Sequence, residues 1–143
     1  MTKQPRTFRF NKLVRDQTVP GYEKDPSVVA MQWRRLSRQE LIHALFDKLS
    51  DESQEARAAL DDEAELAAEV GDVYDVLDAI VATCGLSRDV IEASRMHKNS
   101  KRGGFVNGDH IDTIAVTPGS EWEQYCLADS DRYPEVLTDN EAL

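Results

Sequence analysis

The stretch DESQEARAALDDEAELAAEVGDVYDVLDAI, residues 51–80, decides the fold of this chain. Its apolar residues recur at the spacing of an amphipathic helix, and two aspartates at Asp61 and Asp62 interrupt the pattern. The stretch is also rich in carboxylates, which on a helix are ordinarily solvated surface charge. The main functional question is whether some of these carboxylates instead share a metal ion.

Capping residues set the bounds of the two helices in this region. Ser37 and Glu40 have the spacing of a capping box and predict a helix from Ser37 to about Leu60. The second helix is predicted over residues 62–84 and ends at Gly85, a natural C-cap. Two amphipathic helices joined by so short a loop are expected to pack antiparallel, apolar face against apolar face. The predicted apolar stripe of the second helix consists of Leu66, Val70, Val73, Leu77 and Ile80.

The rest of the chain gives weaker signals. Residues 1–35 contain three prolines and are predicted to be irregular. Ser87 is predicted to cap a third helix that ends near Arg102, before two glycines. Beyond it, the sequence favours an irregular segment with one short strand over residues 113–116.

These elements predict an all-α fold, an antiparallel helical bundle. The bundle domain is predicted over residues 1–105, and residues 106–143 are predicted to form an irregular C-terminal extension. Three such helices leave an apolar face unburied, so self-association is expected to complete the bundle. Aromatic side chains are expected to be core residues more often than base-stacking platforms. The aromatic residues in this prediction are Trp33, Phe46, Tyr74 and Phe105.

Composition excludes several classes of protein. A chain of 143 residues has the length of about one domain, and its formal charge of -10 disfavours DNA or RNA as a partner. No apolar run is long enough to span a membrane, and the first residues lack the apolar stretch of a secretory signal. Two cysteines are too few for a disulfide scaffold. We therefore expect a cytoplasmic protein that does not insert into membranes.

Helical periodicity separates four carboxylates from the other acidic residues. At about 100° per residue, Glu52 falls inside the apolar arc of the first helix and Glu55 lies at its edge. On the second helix, Glu69 borders the apolar stripe and Asp72 lies next to it. Two other aspartates are predicted to project from the far face into water, namely Asp75 and Asp78. Antiparallel packing therefore predicts two Glu-x-x-acid pairs in one groove.

A metal ion is one of two explanations for these pairs. Carboxylates held together against apolar neighbours are costly, and a divalent cation removes that conflict. All-oxygen ligation selects a hard ion, magnesium or manganese, over zinc. The alternative is a solvated acidic face in which Glu52 is a buried acid paired with Lys48 or an arginine. Spacing alone leaves both explanations open.

Three segments resemble the all-alpha nucleoside triphosphate pyrophosphohydrolases, the MazG-like superfamily. The acidic pairs, Glu-x-x-Glu at residues 52–55 and Glu-x-x-Asp at residues 69–72, resemble the metal-binding motif of that superfamily. FNKLVRD at residues 10–16 and HKNSKRGGF at residues 97–105 are similar to segments of its phosphoribosyl-ATP pyrophosphohydrolase-like branch. The likeness covers about two-thirds of the chain; residues 17–36 look shortened and the C-terminal extension has no counterpart.

The resemblance implies a bundle of MazG-like type and a magnesium-dependent hydrolase, with manganese as a substitute ion. Such an enzyme cleaves a nucleoside triphosphate, or a related nucleotide, between the alpha and beta phosphates and releases pyrophosphate. The implied metal ligands are Glu52, Glu55, Glu69 and Asp72, and Glu52 or Glu55 is the implied catalytic base. The implied assembly is a homodimer or a dimer of dimers.

Basic residues are expected to contact the polyphosphate. The candidates for substrate binding are Lys12, Arg15, Lys48, Lys98, Asn99, Lys101 and Arg102. Basic residues also occur in the last turn of a helix because its dipole favours them, so part of this set has a structural alternative. A second function remains open, a non-catalytic helical dimer that acts as a nucleotide- or protein-binding regulatory module.

Overall fold

The chain folds into helices. A computed structural model describes residues 4–136, and none of these residues forms a β-strand, which confirms the predicted all-α class. The helices are α1 (Thr18–Lys24), α2 (Arg38–Ala58), α3 (Glu63–Cys84), α4 (Arg88–Arg102) and α5 (Glu121–Leu127). The chain divides into two compact units, one up to Lys101 and one from Arg102, a few residues before the boundary predicted after residue 105.

The capping box at the start of α2 forms as predicted. The Ser37 hydroxyl accepts a hydrogen bond from the Glu40 backbone N–H at 3.3 Å, and the Ser37 N–H donates to Glu40 Oε2 at 2.9 Å. Arg34 donates to the other oxygen of the same carboxylate at 2.9 Å. Arg34 and then Ser37 lower the pKa of Glu40 to about 2. The boundary of α2 is thus fixed by reciprocal polar contacts.

Both ends of α3 also follow the predicted signals. The Asp62 carboxylate accepts hydrogen bonds from the backbone N–H groups of Ala64 and Glu65, at 3.0 Å each. At the other end, Gly85 adopts a left-handed conformation with φ of 68°, which glycine reaches without steric cost. The two helices predicted from capping residues are therefore confirmed in position.

Helices α2 and α3 pack antiparallel as a hairpin. At the open end, Arg38 Nε donates to the Thr83 carbonyl oxygen at 3.1 Å, so the start of α2 lies beside the end of α3. Further along, Leu45 of α2 is buried against Val76 and Ile80 of α3. These contacts fix which residues of the two helices lie opposite each other.

The hairpin covers only part of the apolar surface of α3. Val70 and Leu77, predicted as members of the buried stripe, are 39% and 40% exposed, and Tyr74 is 66% exposed. The face against α2 centres on Ile80, a predicted member of the stripe, and on Val76, which lies outside the predicted stripe. We call Val70, Tyr74 and Leu77 the outer strip of α3. The aromatic residues predicted as core are likewise exposed by half or more: Trp33, Phe46, Tyr74 and Phe105.

Within residues 4–35, α1 is a helix that was not predicted from the sequence. Helix α1 includes Pro20, one of the prolines on which the prediction of irregular structure was based. Pro20 is the third residue of α1, where its missing N–H would have no partner within the helix anyway. Gly21 then donates to the Gln17 carbonyl oxygen at 3.0 Å and closes the first turn.

The second unit differs from the prediction in two respects. Residues 113–116 form no strand, because a strand needs a hydrogen-bonded neighbour and none of the described residues supplies one. Instead this unit contains α5, whose N-cap Ser120 accepts from the Glu123 backbone N–H at 3.3 Å. Trp122 packs edge-on against Tyr125 at a centroid distance of 5.8 Å.

Within residues 4–136, no helix combines the length and the apolar composition that crossing a lipid bilayer requires.

Replacing Ser37 tests the origin of α2. Ser37→Ala removes the hydroxyl acceptor at the N-cap and is expected to lower the free energy of unfolding by about 1 kcal/mol. Ser53→Ala is the matched control, because the Ser53 hydroxyl donates to the Leu49 carbonyl oxygen in mid-helix at 2.7 Å and caps nothing. Urea denaturation followed by circular dichroism measures both variants. Equal stability of the two variants would contradict the role assigned to the cap.

Candidate metal centre

The hairpin brings three of the four predicted metal ligands together. One carboxylate oxygen from each of Glu52, Glu69 and Asp72 lies within 4.8 Å of the other two. We call these three residues the acidic group. It forms because the contact of Leu45 with Val76 and Ile80 places Glu52, two turns after Leu45, opposite Glu69, two turns before Val76.

Glu52 lies in the apolar interior, as its position in the arc of α2 predicts. It is only 5% exposed, and its Oε1 accepts from Lys48 Nζ at 2.5 Å. Its Oε2 is buried and has no hydrogen-bond partner among residues 4–136. A buried polar atom left unpaired costs about 1–3 kcal/mol, and more when it is charged. Lys48 thus compensates one oxygen of Glu52 and leaves the other uncompensated.

Glu69 has the same deficiency on the opposite helix. Its Oε2 is buried and, in the described part of the chain, makes no hydrogen bond. Burial raises the pKa of Glu69, and the negative charges of Glu55, Asp72, Glu52 and Glu65 raise it further. Every cause of this shift is a penalty on the ionised carboxylate. A nearby cation would reverse the balance.

Glu55, a predicted metal ligand, does not join the acidic group. Its side chain is exposed on α2, and it is absent from the set of carboxylates within 4.8 Å of one another. It nevertheless lies near enough for its charge to be the second largest cause of the raised pKa of Glu69. Glu55 therefore borders the acidic group.

An arginine from the N-terminal segment contacts the acidic group. Arg15 Nη2 donates to Asp72 Oδ1 at 2.5 Å, and Nη1 donates to Asp75 Oδ2 at 2.9 Å. Leu13, two residues earlier, packs against the apolar core of the hairpin and so holds this segment beside α3. Asp75 was predicted to be solvated on the far face of α3. It is 60% exposed, but it takes Arg15 as a partner.

A cleft lies between the N-terminal segment and α2. It has a volume of about 210 Å³, which is below the range of about 300–1,000 Å³ typical of sites that enclose a whole ligand. Its lining residues are Asn11, Lys12, Leu13, Ala44, Asp47, Lys48, Asp51, Glu52 and Glu55. The size suits a phosphate chain better than an entire nucleotide. Glu52 belongs to both the cleft and the acidic group.

Three polar residues of the cleft were not predicted from the sequence, namely Asn11, Asp47 and Asp51. Asn11 has a φ of 44°, the left-handed conformation that asparagine tolerates better than most residues. No periodic pattern indicated Asn11, because it lies in an irregular segment. Asp47 and Asp51 precede Lys48 and Glu52 on α2, and helical periodicity pointed only to the latter pair.

The predicted phosphate contacts fall into separate places. Lys12 and Lys48 line the cleft, and Arg15 contacts the acidic group. Lys98, Asn99 and Lys101 are exposed on the last turns of α4 and, among the described residues, make no ion pair or hydrogen bond with the acidic group. Arg102 begins the second unit. The basic end of α4 is thus not assembled with the other candidates within the first unit.

The residues present fit a hard divalent cation. The donors are carboxylate oxygens from two helices, and Glu52 and Glu69 each also have a buried Oε2 without a partner in residues 4–136. Magnesium and manganese prefer such ligands, whereas zinc prefers nitrogen or sulfur.

Comparisons with known proteins give no independent assignment. No protein-family model, no curated protein and no solved structure matches this chain. The likeness of residues 10–105 to the MazG-like superfamily therefore stays a prediction. The interpretation of the centre depends on its geometry.

Neutralising Glu69 tests the charge conflict. Because the native pKa of Glu69 is raised, its ionised form destabilises the fold, and this penalty appears as pH rises from the ordinary value of 4.5 through the native value. Glu69→Gln is therefore expected to raise the free energy of unfolding near neutral pH without divalent cations, and to change it little at acidic pH. Denaturation at both pH values measures the effect.

Glu63→Gln is the matched control for this prediction. Glu63 lies in the exposed first turn of α3, where its charge is favoured by the helix dipole, so its loss should not stabilise the protein. If Glu69→Gln is less stable than the parent at neutral pH, the ionised Glu69 does not destabilise the fold and the prediction is wrong.

Proposed function

We propose that this protein is a metal-dependent nucleotide pyrophosphohydrolase. It cleaves nucleoside triphosphates, or a related nucleotide, between the alpha and beta phosphates to a monophosphate and pyrophosphate. The observation that carries the proposal is the pair of buried, unpartnered carboxylate oxygens of Glu52 and Glu69 within the acidic group. The cleft with Lys12 and Lys48 beside that group supports it further.

The acidic group is the proposed seat of magnesium, for which manganese substitutes. Glu52, Glu69 and Asp72 each offer one oxygen at the required spacing. Held by these residues, the ion would supply positive charge to the phosphate oxygens and would favour deprotonation of the attacking water. Because the two glutamates come from different helices, the hairpin register sets the distance between them.

The other residues of the centre act on the substrate. Glu55 borders the acidic group without belonging to it and is exposed, so it is the better candidate for the base that accepts a proton from water. Lys48 and Lys12 line the cleft and provide positive charge for phosphate oxygens. Arg15 provides a planar guanidinium, which suits bidentate binding of phosphate.

Substituting the acidic group tests this activity. Pyrophosphate release is measured with magnesium over a panel of nucleoside triphosphates. Glu52→Gln and Asp72→Asn are each expected to reduce the rate on the order of 100-fold, equivalent to about 2.7 kcal/mol of lost transition-state stabilisation. Both should keep the helical circular dichroism of the parent. Asp78→Asn is the matched control, because Asp78 is an α3 aspartate paired with Arg88 and is not part of the acidic group.

One observation favours the alternative of a non-catalytic module. Glu52 and Asp72 each already have a basic partner, Lys48 and Arg15 respectively, as in a purely structural charge network. In that case the protein is a helical dimer that binds a nucleotide or another protein without turnover. A parent protein that releases no pyrophosphate from any nucleotide of the panel would support this alternative.

Self-association is part of the proposal. The apolar outer strip of α3 and Phe46 of α2, which is 52% exposed, leave apolar side chains in contact with water. We propose that a second copy covers this surface in a homodimer, or in a dimer of dimers. The bundle is then completed between subunits.

The outer strip gives a direct test of association. Tyr74→Glu places a charge on that strip and is expected to raise the dimer dissociation constant at least about tenfold. Sedimentation equilibrium measures the constant. Phe8→Glu is the control, because Phe8 is as exposed as Tyr74, at 66%, but lies in the N-terminal segment. A monomeric parent protein at high concentration would overturn this part of the proposal.

A further inference from the structure

Arg15 is held by two aspartates that have different surroundings. Asp72 belongs to the acidic group, whereas Asp75, three residues later on α3, does not. The guanidinium spans both, with one nitrogen on each carboxylate at 2.5 and 2.9 Å. Arg15 therefore contacts the acidic group through Asp72. No periodic pattern in the sequence indicated this contact.

Arg15 and a divalent cation would compete for the carboxylate of Asp72. A dication held by the acidic group would lie close to the guanidinium, and two positive charges at that distance repel. The side chains of Arg15 and Asp72 are 58% and 41% exposed, respectively. Water therefore screens this ion pair and can hydrogen-bond to either partner when the pair separates. Lys48 differs, because it is only 25% exposed and pairs with Glu52 within the same helix.

We propose that Arg15 is an internal counter-ion that a divalent cation displaces from Asp72. This inference rests on the metal site of the proposed function. Before the ion binds, Arg15 offsets part of the negative charge of the acidic group. When the ion takes Asp72, Asp75 retains the guanidinium beside the centre. Arg15 is then released toward the incoming phosphates without leaving the site, so it is a positioning residue for the metal and a binding residue for the substrate.

Manganese affinity tests the displacement without any measurement of activity. Isothermal titration calorimetry with MnCl₂ on the full chain is expected to show binding about threefold to tenfold tighter in Arg15→Gln, because no guanidinium competes for Asp72. Arg15→Lys keeps the charge but loses the two-pronged contact, and its affinity should lie between those of the parent and Arg15→Gln.

Arg88→Gln is the matched control. Arg88 also pairs with an aspartate of α3, Asp78, at 3.1 Å, and its removal changes the net charge by the same amount. Its manganese affinity should stay within about twofold of the parent because the pair lies outside the acidic group. Equal tightening in Arg15→Gln and Arg88→Gln would mean that net charge alone is responsible and would overturn the inference.

A double-mutant cycle separates competition from simple electrostatics. In the Arg15→Gln background, Asp75→Asn removes only a nearby negative charge and is expected to weaken manganese binding. In the parent, the same substitution also loosens Arg15, so the weakening should be smaller or reversed. The two effects are then not additive. Additive effects within about twofold would overturn the proposal that Asp75 tethers Arg15.

The side chain of Arg15 also provides a spectroscopic readout. Its Nε–Hε resonance is expected to shift during titration with MgCl₂, and the shift should saturate together with magnesium binding. Tight manganese binding with no change in Arg15→Gln would overturn the inference and leave the metal site in place. No manganese binding in the parent or in Arg15→Gln would remove the metal site and the inference together.

Discussion

The structure depends on the antiparallel contact of α2 and α3, which buries apolar and acidic side chains on the same face. Leu45, Val76 and Ile80 fix the register at one end of the hairpin. That register places Glu52 and Glu69 opposite each other further along. Rotating either helix to bring its carboxylate into water would also expose the apolar residues. The hairpin therefore cannot relieve the charge conflict and keep its core.

The basic residues around the acidic group offset the conflict only in part. Lys48 and Glu52 lie one turn apart on α2, so they stay adjacent even if α2 moves as a rigid body. Arg15 reaches Asp72 from a distant segment, and its contact depends on how that segment lies along α3. Neither side chain bonds the buried Oε2 atoms of Glu52 and Glu69. Uncompensated charge therefore remains between α2 and α3.

Sequence patterns predicted the parts of this arrangement that follow helical phase. Helix capping at Ser37 and Gly85 fixed the bounds of α2 and α3, and periodicity placed Glu52 in the interior, because both depend on local geometry. The contact of Arg15 with Asp75 could not be predicted, since it depends on the path of an irregular segment. The exposure of Tyr74 was also missed, because periodicity identifies an apolar face without saying whether a neighbour covers it.

A small core makes the two proposed ligands of the hairpin interdependent. Among the described residues only Leu45, Ala59, Val76 and Ile80 are buried apolar residues, so the hairpin alone has little free energy to set against the burial of Glu52. In the proposed enzyme, the cation binds only the paired helices, and so does the second copy on the outer strip. A ligand that binds only the folded hairpin raises the fraction of the protein that is folded. The other ligand then has more folded hairpin to bind. Metal binding and self-association should therefore strengthen each other through the fold, although they act on different faces of α3.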